Sequence, residues 1–148
     1  MELTYETLSK EIQKKLKRTR GVILATSADN TVAARQVSAV NDGLTIMFST
    51  SIKSNKAKQI KQNPNVAVAF DNVKIEAVAE AYGHPSGHSA FMTVFKKKFP
   101  IFAKVYKSLP DDVLIIIKPK KIALYKFIGG ACEDILDVEN CKAYRSRL

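Results

Sequence analysis

A protein holds a phosphate group with cationic side chains, hydroxyls that donate directed hydrogen bonds, and free backbone amides at a helix start. One segment of this sequence combines all three. Thr50 and Ser51 close a strand-like run, Ser54 and Asn55 open a short helical stretch, and Lys56 lies in its first turn. The helix start itself contributes roughly half a positive charge and several unpaired amides. The neighbouring run, residues 31–40, carries Arg35 among Val, Ala and Ser. A guanidinium in so apolar a strand calls for an anionic partner. Two readings of these residues stand open. In one, Arg35 and Lys56 share a phosphate; in the other, Arg35 pairs with Asp42 or Glu76, and Ser54 merely caps a helix.

The elements that must position these groups follow from periodicity. Tyr5, Leu8, Ile12 and Leu16 fall three to four residues apart and predict an amphipathic helix from residue 4 to about 20. Its Lys10, Lys14, Lys15, Lys17 and Arg18 read as a solvated face rather than a nucleic-acid footprint. After Gly21, residues 22–26 have the β-branched, apolar character of a strand buried on both faces, and residues 31–40 return as its hairpin partner. Asn41-Asp42-Gly43 is a tight-turn signal leading into a third strand over 44–50. A short helix capped by Ser54 runs to Asn63-Pro64, followed by strands over 66–70 and 74–82. A longer helical stretch spans about 85–109, with Pro100 kinking or splitting it. Residues 113–117 and 121–127 predict strands six and seven, and the pattern after Gly129-Gly130 determines nothing. The sum is a mainly β chain with flanking helices. Six to seven strands form a closed or nearly closed barrel of Greek-key-like character, and the helices are too few for a doubly wound sheet.

Composition sets the outer bounds. The 148 residues suit one domain, 1–148, and 46% hydrophobic with 26% charged residues is a globular balance. No apolar run is long enough to span a bilayer and the start lacks a secretory pattern, so the expectation is a cytoplasmic protein with no membrane contact. Cys132 and Cys141 are too few for a disulfide framework and read as free thiols. Lys and Arg number 24 against 14 Asp and Glu, a net charge of +10 that favours anionic partners without naming one.

Arg35-Gln36-Val37-Ser38, Met47-Phe48-Ser49-Thr50, Ser54-Asn55-Lys56-Ala57 and Asn63-Pro64 occur here in an order that resembles the pyridoxamine 5′-phosphate oxidase-like flavoproteins, the FMN-binding split β-barrels. The likeness covers about residues 21–83. It implies FMN as cofactor, with Arg35 and Lys56 on its phosphate and Ser49, Thr50, Ser54 and Asn55 assisting near the phosphate and ribityl chain. It also implies that Gln36, Val37 and Ser38 line the flavin ring. A homodimer follows from the same resemblance, with FMN at the subunit interface and Lys74 reaching the ring bound mainly by the other chain. A lysine there stands where the family often has Gln, and its charge would favour the reduced ring. Oxidases of pyridoxamine phosphate proper carry a C-terminal Arg-x-His and a Trp. This chain has no Trp, and its last eight residues have no His, which argues against that particular activity. The implied function is an FMN-dependent oxidoreductase of unknown small-molecule substrate, with no catalytic side chain assigned. The alternative is a module without turnover, storing or sensing flavin or binding nucleic acid through the basic helix around Lys96–Lys98.

Other motifs carry less. His84 and His88 share a helical spacing, but Pro85 and Gly87 oppose a continuous helix and no third ligand is near, so no metal is expected. Lys96-Lys97-Lys98, with Lys104 and Lys107, surrounds Phe91, Phe95, Phe99, Phe102 and Tyr106, whose helical repeat fits a core or dimer-facing stripe better than a nucleic-acid platform. Cys132 has no base beside it, which argues against a catalytic thiol.

Overall fold

The computed structural model describes residues 3–104 and 109–148. Helix α1 (Tyr5–Arg18) opens the chain with a reciprocal cap: the Thr4 hydroxyl accepts from the Thr7 amide at 3.1 Å, and the Thr7 hydroxyl accepts from the Thr4 amide at 3.0 Å. Leu8, Ile12 and Leu16 form the stripe that α1 buries, as their spacing predicts.

The strands are β1 (Val22–Ala28), β2 (Thr31–Val37), β3 (Val40–Asp42), β4 (Thr45–Ser51), β5 (Asn65–Phe70), β6 (Val73–Ala81), β7 (Asp112–Phe127), β8 (Ala131–Asp137) and β9 (Lys142–Arg147). Helices α2 (Asn55–Gln62) and α3 (Ser89–Lys98) interrupt them, and a short 3-10 turn, Pro85–Gly87, precedes α3. All recorded strand pairs are antiparallel, and the sheet runs β2-β1-β5-β6-β7-β4-β3, with the β8-β9 hairpin joined to β7. Strand β7 makes the split. Its first half pairs β4 on one side, its second half pairs β8 on that side, and β6 follows it along the other. The curled sheet encloses a core of Leu24, Ile46, Phe48, Ile75, Ile115 and Ile122, closed by α1. This is the split β-barrel that the resemblance implies, and it agrees with the nearly closed barrel and flanking helices read from the pattern. A second cluster packs Phe91, Phe95 and Phe99 of the α3 region against Val40, Met47 and Leu114.

Four expectations need correction. The run 22–26 is buried on one face only: Val22, Leu24 and Thr26 face the core, while Ile23 is 42% exposed. The predicted second strand is two strands, β2 and β3, separated by Ser38-Ala39. Strands six and seven are one strand, because Pro119 does not break it. The register between β6 and β7 shifts there, leaving Lys120 as the extra residue, and a bulge tolerates a residue without an amide donor. The helical stretch over 85–109 is split at Pro100 as expected, but its α-helical part is only α3, which ends at Lys98, with 3-10 turns at Pro85–Gly87 and over 102–104. Tyr106 and Lys107 lie outside the described residues.

Candidate functional site

The phosphate-type cluster assembles where β1, β2, β4 and α2 meet. Arg35 sits on the core-facing side of β2, opposite Leu24, and its Nη1 donates to the Thr26 hydroxyl at 2.7 Å and to the Leu24 carbonyl at 3.3 Å. The buried Thr26 hydroxyl donates in turn to Gln59 Oε1 at 2.5 Å, and Gln59 Nε2 donates to the Thr31 carbonyl at 3.3 Å. Gln59 lies one helical turn after Lys56 on α2, so this relay fixes the helix that carries the second cation against the strand that carries the first.

At the start of α2, Ser54 Oγ accepts from the Ala57 amide at 3.2 Å, the predicted cap, and lies 3.2 Å from Thr50 Oγ1. Lys56 Nζ donates to Thr50 Oγ1 at 3.3 Å. Arg35, Thr50, Ser54 and Lys56 therefore share one place. Neither cation has a carboxylate partner among the described residues, which rules out the pairing of Arg35 with Asp42 or Glu76 there. Burial pulls the Lys56 ammonium below the usual lysine value, and the nearby Arg35 charge pulls it further. Burial also lowers the Arg35 value. Two half-buried cations that each disfavour the other's charge make a site that an anion would relieve.

The remaining candidates lie elsewhere. Asn55 is exposed in the first turn of α2, Val37 is buried facing the core, and Ser38 is exposed between β2 and β3. Successive strand residues face opposite sides, so Ser49 points away from Thr50 and its hydroxyl lies 3.5 Å from Asp112 Oδ2. Gln36 faces the outer side of the sheet, folded so close over Gly21 that a methyl there would sit 2.4 Å from its Nε2. Lys74 also lies on the outer face, with Nζ 3.0 Å from Glu133 Oε2. The register places Gln36, Ile23, Ala69 and Lys74 in one row across β2, β1, β5 and β6. At ~4.8 Å per strand, Gln36 and Lys74 stand about 14 Å apart within the chain. Between Lys74, Glu133, Ala67, Ala69, Ala123 and Ile135 lies an open trough of about 450 Å³.

Both histidines are hydrogen-bonded within the fold. His84 bonds to Ser86 and, through Nε2, to the Leu109 carbonyl at 2.9 Å, while His88 Nε2 bonds to the Tyr82 carbonyl. Among the described residues no group of metal-binding side chains forms. The tail is committed as well: Arg145 makes a bidentate contact to the fully buried Asp134 at 2.6 and 3.0 Å, and Arg147 donates to the Ile128 carbonyl at 2.5 Å. Sequence reasoning missed Thr26 and Gln59, the two residues that hold Arg35 in place. A threonine in the inward series of an apolar strand is the one signal that marks the first.

Residues 8–126 match the family model described as pyridoxamine 5′-phosphate oxidase. The chain belongs to that family. Solved structures agree on the pyridoxamine 5′-phosphate oxidase-like fold. ChuZ of Campylobacter jejuni superposes with a TM-score of 0.75 at 19% identity, over 97% of this chain and 64% of that one. A FAD-binding protein from Mesorhizobium loti gives 0.59 at 16% identity, over 77% of this chain and 89% of that one. HutZ, the heme storage protein from Vibrio cholerae, gives 0.59 at 17% identity, over 82% and 94%. No curated protein matches the chain. Solved proteins of this fold thus carry names tied to flavin and to heme. Among the described residues no helix is long and apolar enough to cross a membrane.

Proposed function

We propose that this protein binds FMN, gripping the phosphate between Arg35 and Lys56, and that it is an oxidoreductase acting on a small molecule. One observation carries the reading: two half-buried cations converge beside Thr50, Ser54 and the start of α2, and among the described residues no carboxylate pairs with either. A phosphate monoester supplies that charge, and its three oxygens match a donor set of guanidinium, ammonium and hydroxyls. Asn55 would assist from the first turn of α2. The bound flavin would supply the electron-transfer chemistry, and the chain's own residues would bind and orient it and shield it from water. Gln36 and Val37 follow Arg35 along β2 and Ser38 lies just beyond its end, so the ring would lie toward this end of the strand.

The outer face of the sheet supports a homodimer. It presents Ile23, Val32, Ala67 and Ala69 in one exposed apolar field. A second copy on this face would bring its Lys74 toward the ring held by the first chain, where the 14 Å span within one chain keeps its own Lys74 away. The tail's arginines, committed to Asp134 and Ile128, lend no support to oxidation of pyridoxamine phosphate.

Mass analysis of the small molecule released on denaturing natively purified protein tests the proposal. FMN is the expected product. Release of heme, of a deazaflavin, or of nothing after incubation with FMN would overturn it.

A further inference from the structure

The ends of α1 and α3 are distant in sequence and meet in the fold. Lys98 Nζ donates to the Leu16 carbonyl at 3.2 Å and to the Ala39 carbonyl at 2.8 Å, which locks the last turn of α3 to the last turn of α1. The Arg20 guanidinium lies 5.0 Å from the centre of the Phe99 ring, and Lys98 Nζ lies 5.6 Å from it. Lys17, Lys97 and Lys98 line one open recess of about 350 Å³. No Asp or Glu occurs between Glu11 and Asp29 or between Glu80 and Asp111, so both contributing segments are purely basic. Among the described residues Lys17, Arg20 and Lys97 have no acidic partner.

Immediately after Phe99-Pro100 come two large apolar side chains that the fold leaves outside: Ile101 is 81% exposed and Phe102 58%. Adjacent apolar residues rarely stand so open, and here they follow Lys96-Lys97-Lys98 in the chain, with only Phe99-Pro100 between. The combination discriminates between polyanions. A nucleic-acid platform stacks successive bases on several exposed rings, but Phe91, Phe95 and Phe99 are buried to 0%, 2% and 4% exposure, which leaves Phe102 as the one open ring among the described residues of this stretch, beside an Ile101 that has no π face. An anionic bilayer asks for what is present: cations at headgroup level and a small apolar wedge that enters the acyl boundary. Neither signal alone gives stable attachment, and together they do.

We infer that the surface formed by Lys17, Arg20, Lys97 and Lys98, with Ile101 and Phe102, docks the protein peripherally on an anionic lipid bilayer. This revises the expectation of no membrane contact. That expectation rested on the lack of an apolar run long enough to span as a helix, which leaves a surface contact open.

Cosedimentation of the full chain with phosphatidylcholine vesicles, with and without phosphatidylserine, tests the inference, with heparin and duplex DNA binding measured in parallel. Binding to the anionic vesicles only, falling as salt rises, is the expected result. The pair Lys17→Gln and Lys97→Gln should weaken it about fivefold per charge removed. The pair Ile101→Ser and Phe102→Ser should weaken it about tenfold or more while leaving heparin binding unchanged. All four positions are exposed or partnerless, and an unchanged melting temperature confirms that each variant folds. No gain in binding on adding phosphatidylserine overturns the inference. So does vesicle binding that is indifferent to the Ile101 and Phe102 changes, which would make the surface a general polyanion site.

Discussion

Thr26 holds Arg35: the buried hydroxyl accepts from the guanidinium at 2.7 Å while donating to Gln59 on α2 at 2.5 Å. A single side chain thus ties the strand with one cation to the helix with the other. Replacing Thr26 by Val keeps the volume and removes both bonds. Gln59 would lose its donor inside the core, and an unsatisfied buried polar group costs about 1–3 kcal/mol. Urea denaturation should register that loss. Fluorescence titration should show FMN bound about tenfold more weakly, because Arg35 would no longer be held toward the phosphate.

The lowered pKa of Lys56 gives flavin binding a pH signature. A phosphate monoester gains its second charge near about pH 6, so affinity should rise through that region. It should then hold level and fall again at alkaline pH, starting below the usual lysine value, as Lys56 loses the proton that the bound anion favours. In the ligand-free protein the sign reverses. A lysine with a depressed folded pKa carries fewer protons folded than unfolded between the two values, so stability rises with pH across that window. Lys56→Arg should push the alkaline limb out of range, since a guanidinium stays charged. A binding profile flat above neutrality in the native protein would contradict this account.

Asp134 is fully buried between Arg145 and Lys126, and Lys126 reaches on to Glu11 of α1 at 3.0 Å. Hydrogen bonds from Arg145, then from Lys126, outweigh burial and hold the carboxyl below the usual carboxylate range. Its stabilising contribution is complete above the unfolded pKa of about 4 and is lost as pH falls through the depressed folded value. Asp134→Asn should cost about 1–3 kcal/mol at neutral pH, because it removes the charge that accepts from Arg145 and Lys126 inside the sheet. Denaturation curves measured against pH should show a shallower acid loss in the variant than in the native chain.

Much of the architecture could be read from periodicity, and the exceptions have physical causes. The α1 stripe, the Ser54 cap and the turn at Asn41-Asp42-Gly43 are local devices whose residues sit side by side in sequence. β8 escaped because its inward series is Cys132, Asp134, Leu136. A buried aspartate spoils the apolar alternation, and Arg145 across the hairpin with Lys126 on β7 explains it. Pro119 concealed the continuity of β7 because a bulge is a property of two strands and leaves no mark in one. The cations of the site stood out as charges in apolar surroundings. Thr26 and Gln59 did not, because their partners lie 9 and 33 residues away and only folding brings them together.

The proposed dimer face is tested by a charge placed at its centre. Ala69 is exposed on the outer side, opposite Lys74 on one neighbouring strand and Ile23 on the other. Ala69→Glu should be tolerated by the single chain, where the side chain meets water. Against a second copy it would bury an unpaired carboxylate, which costs several kcal/mol. Analytical ultracentrifugation should find the native protein dimeric and the variant monomeric, with flavin content falling in parallel. A native monomer that binds FMN fully would refute the shared site.

The central claim is that Arg35 and Lys56 recognise a phosphate, and the affinity ratio of FMN to riboflavin measures that directly, since the two ligands differ only in the phosphate. Two charge-assisted hydrogen bonds of about 1.5–3 kcal/mol each predict a preference for FMN of about a hundredfold or more in the native protein. In the double variant Arg35→Ala, Lys56→Ala that preference should collapse to about one, with riboflavin affinity little changed. Equal affinities in the native protein, or a preference that survives the double replacement, would show that the phosphate is held elsewhere.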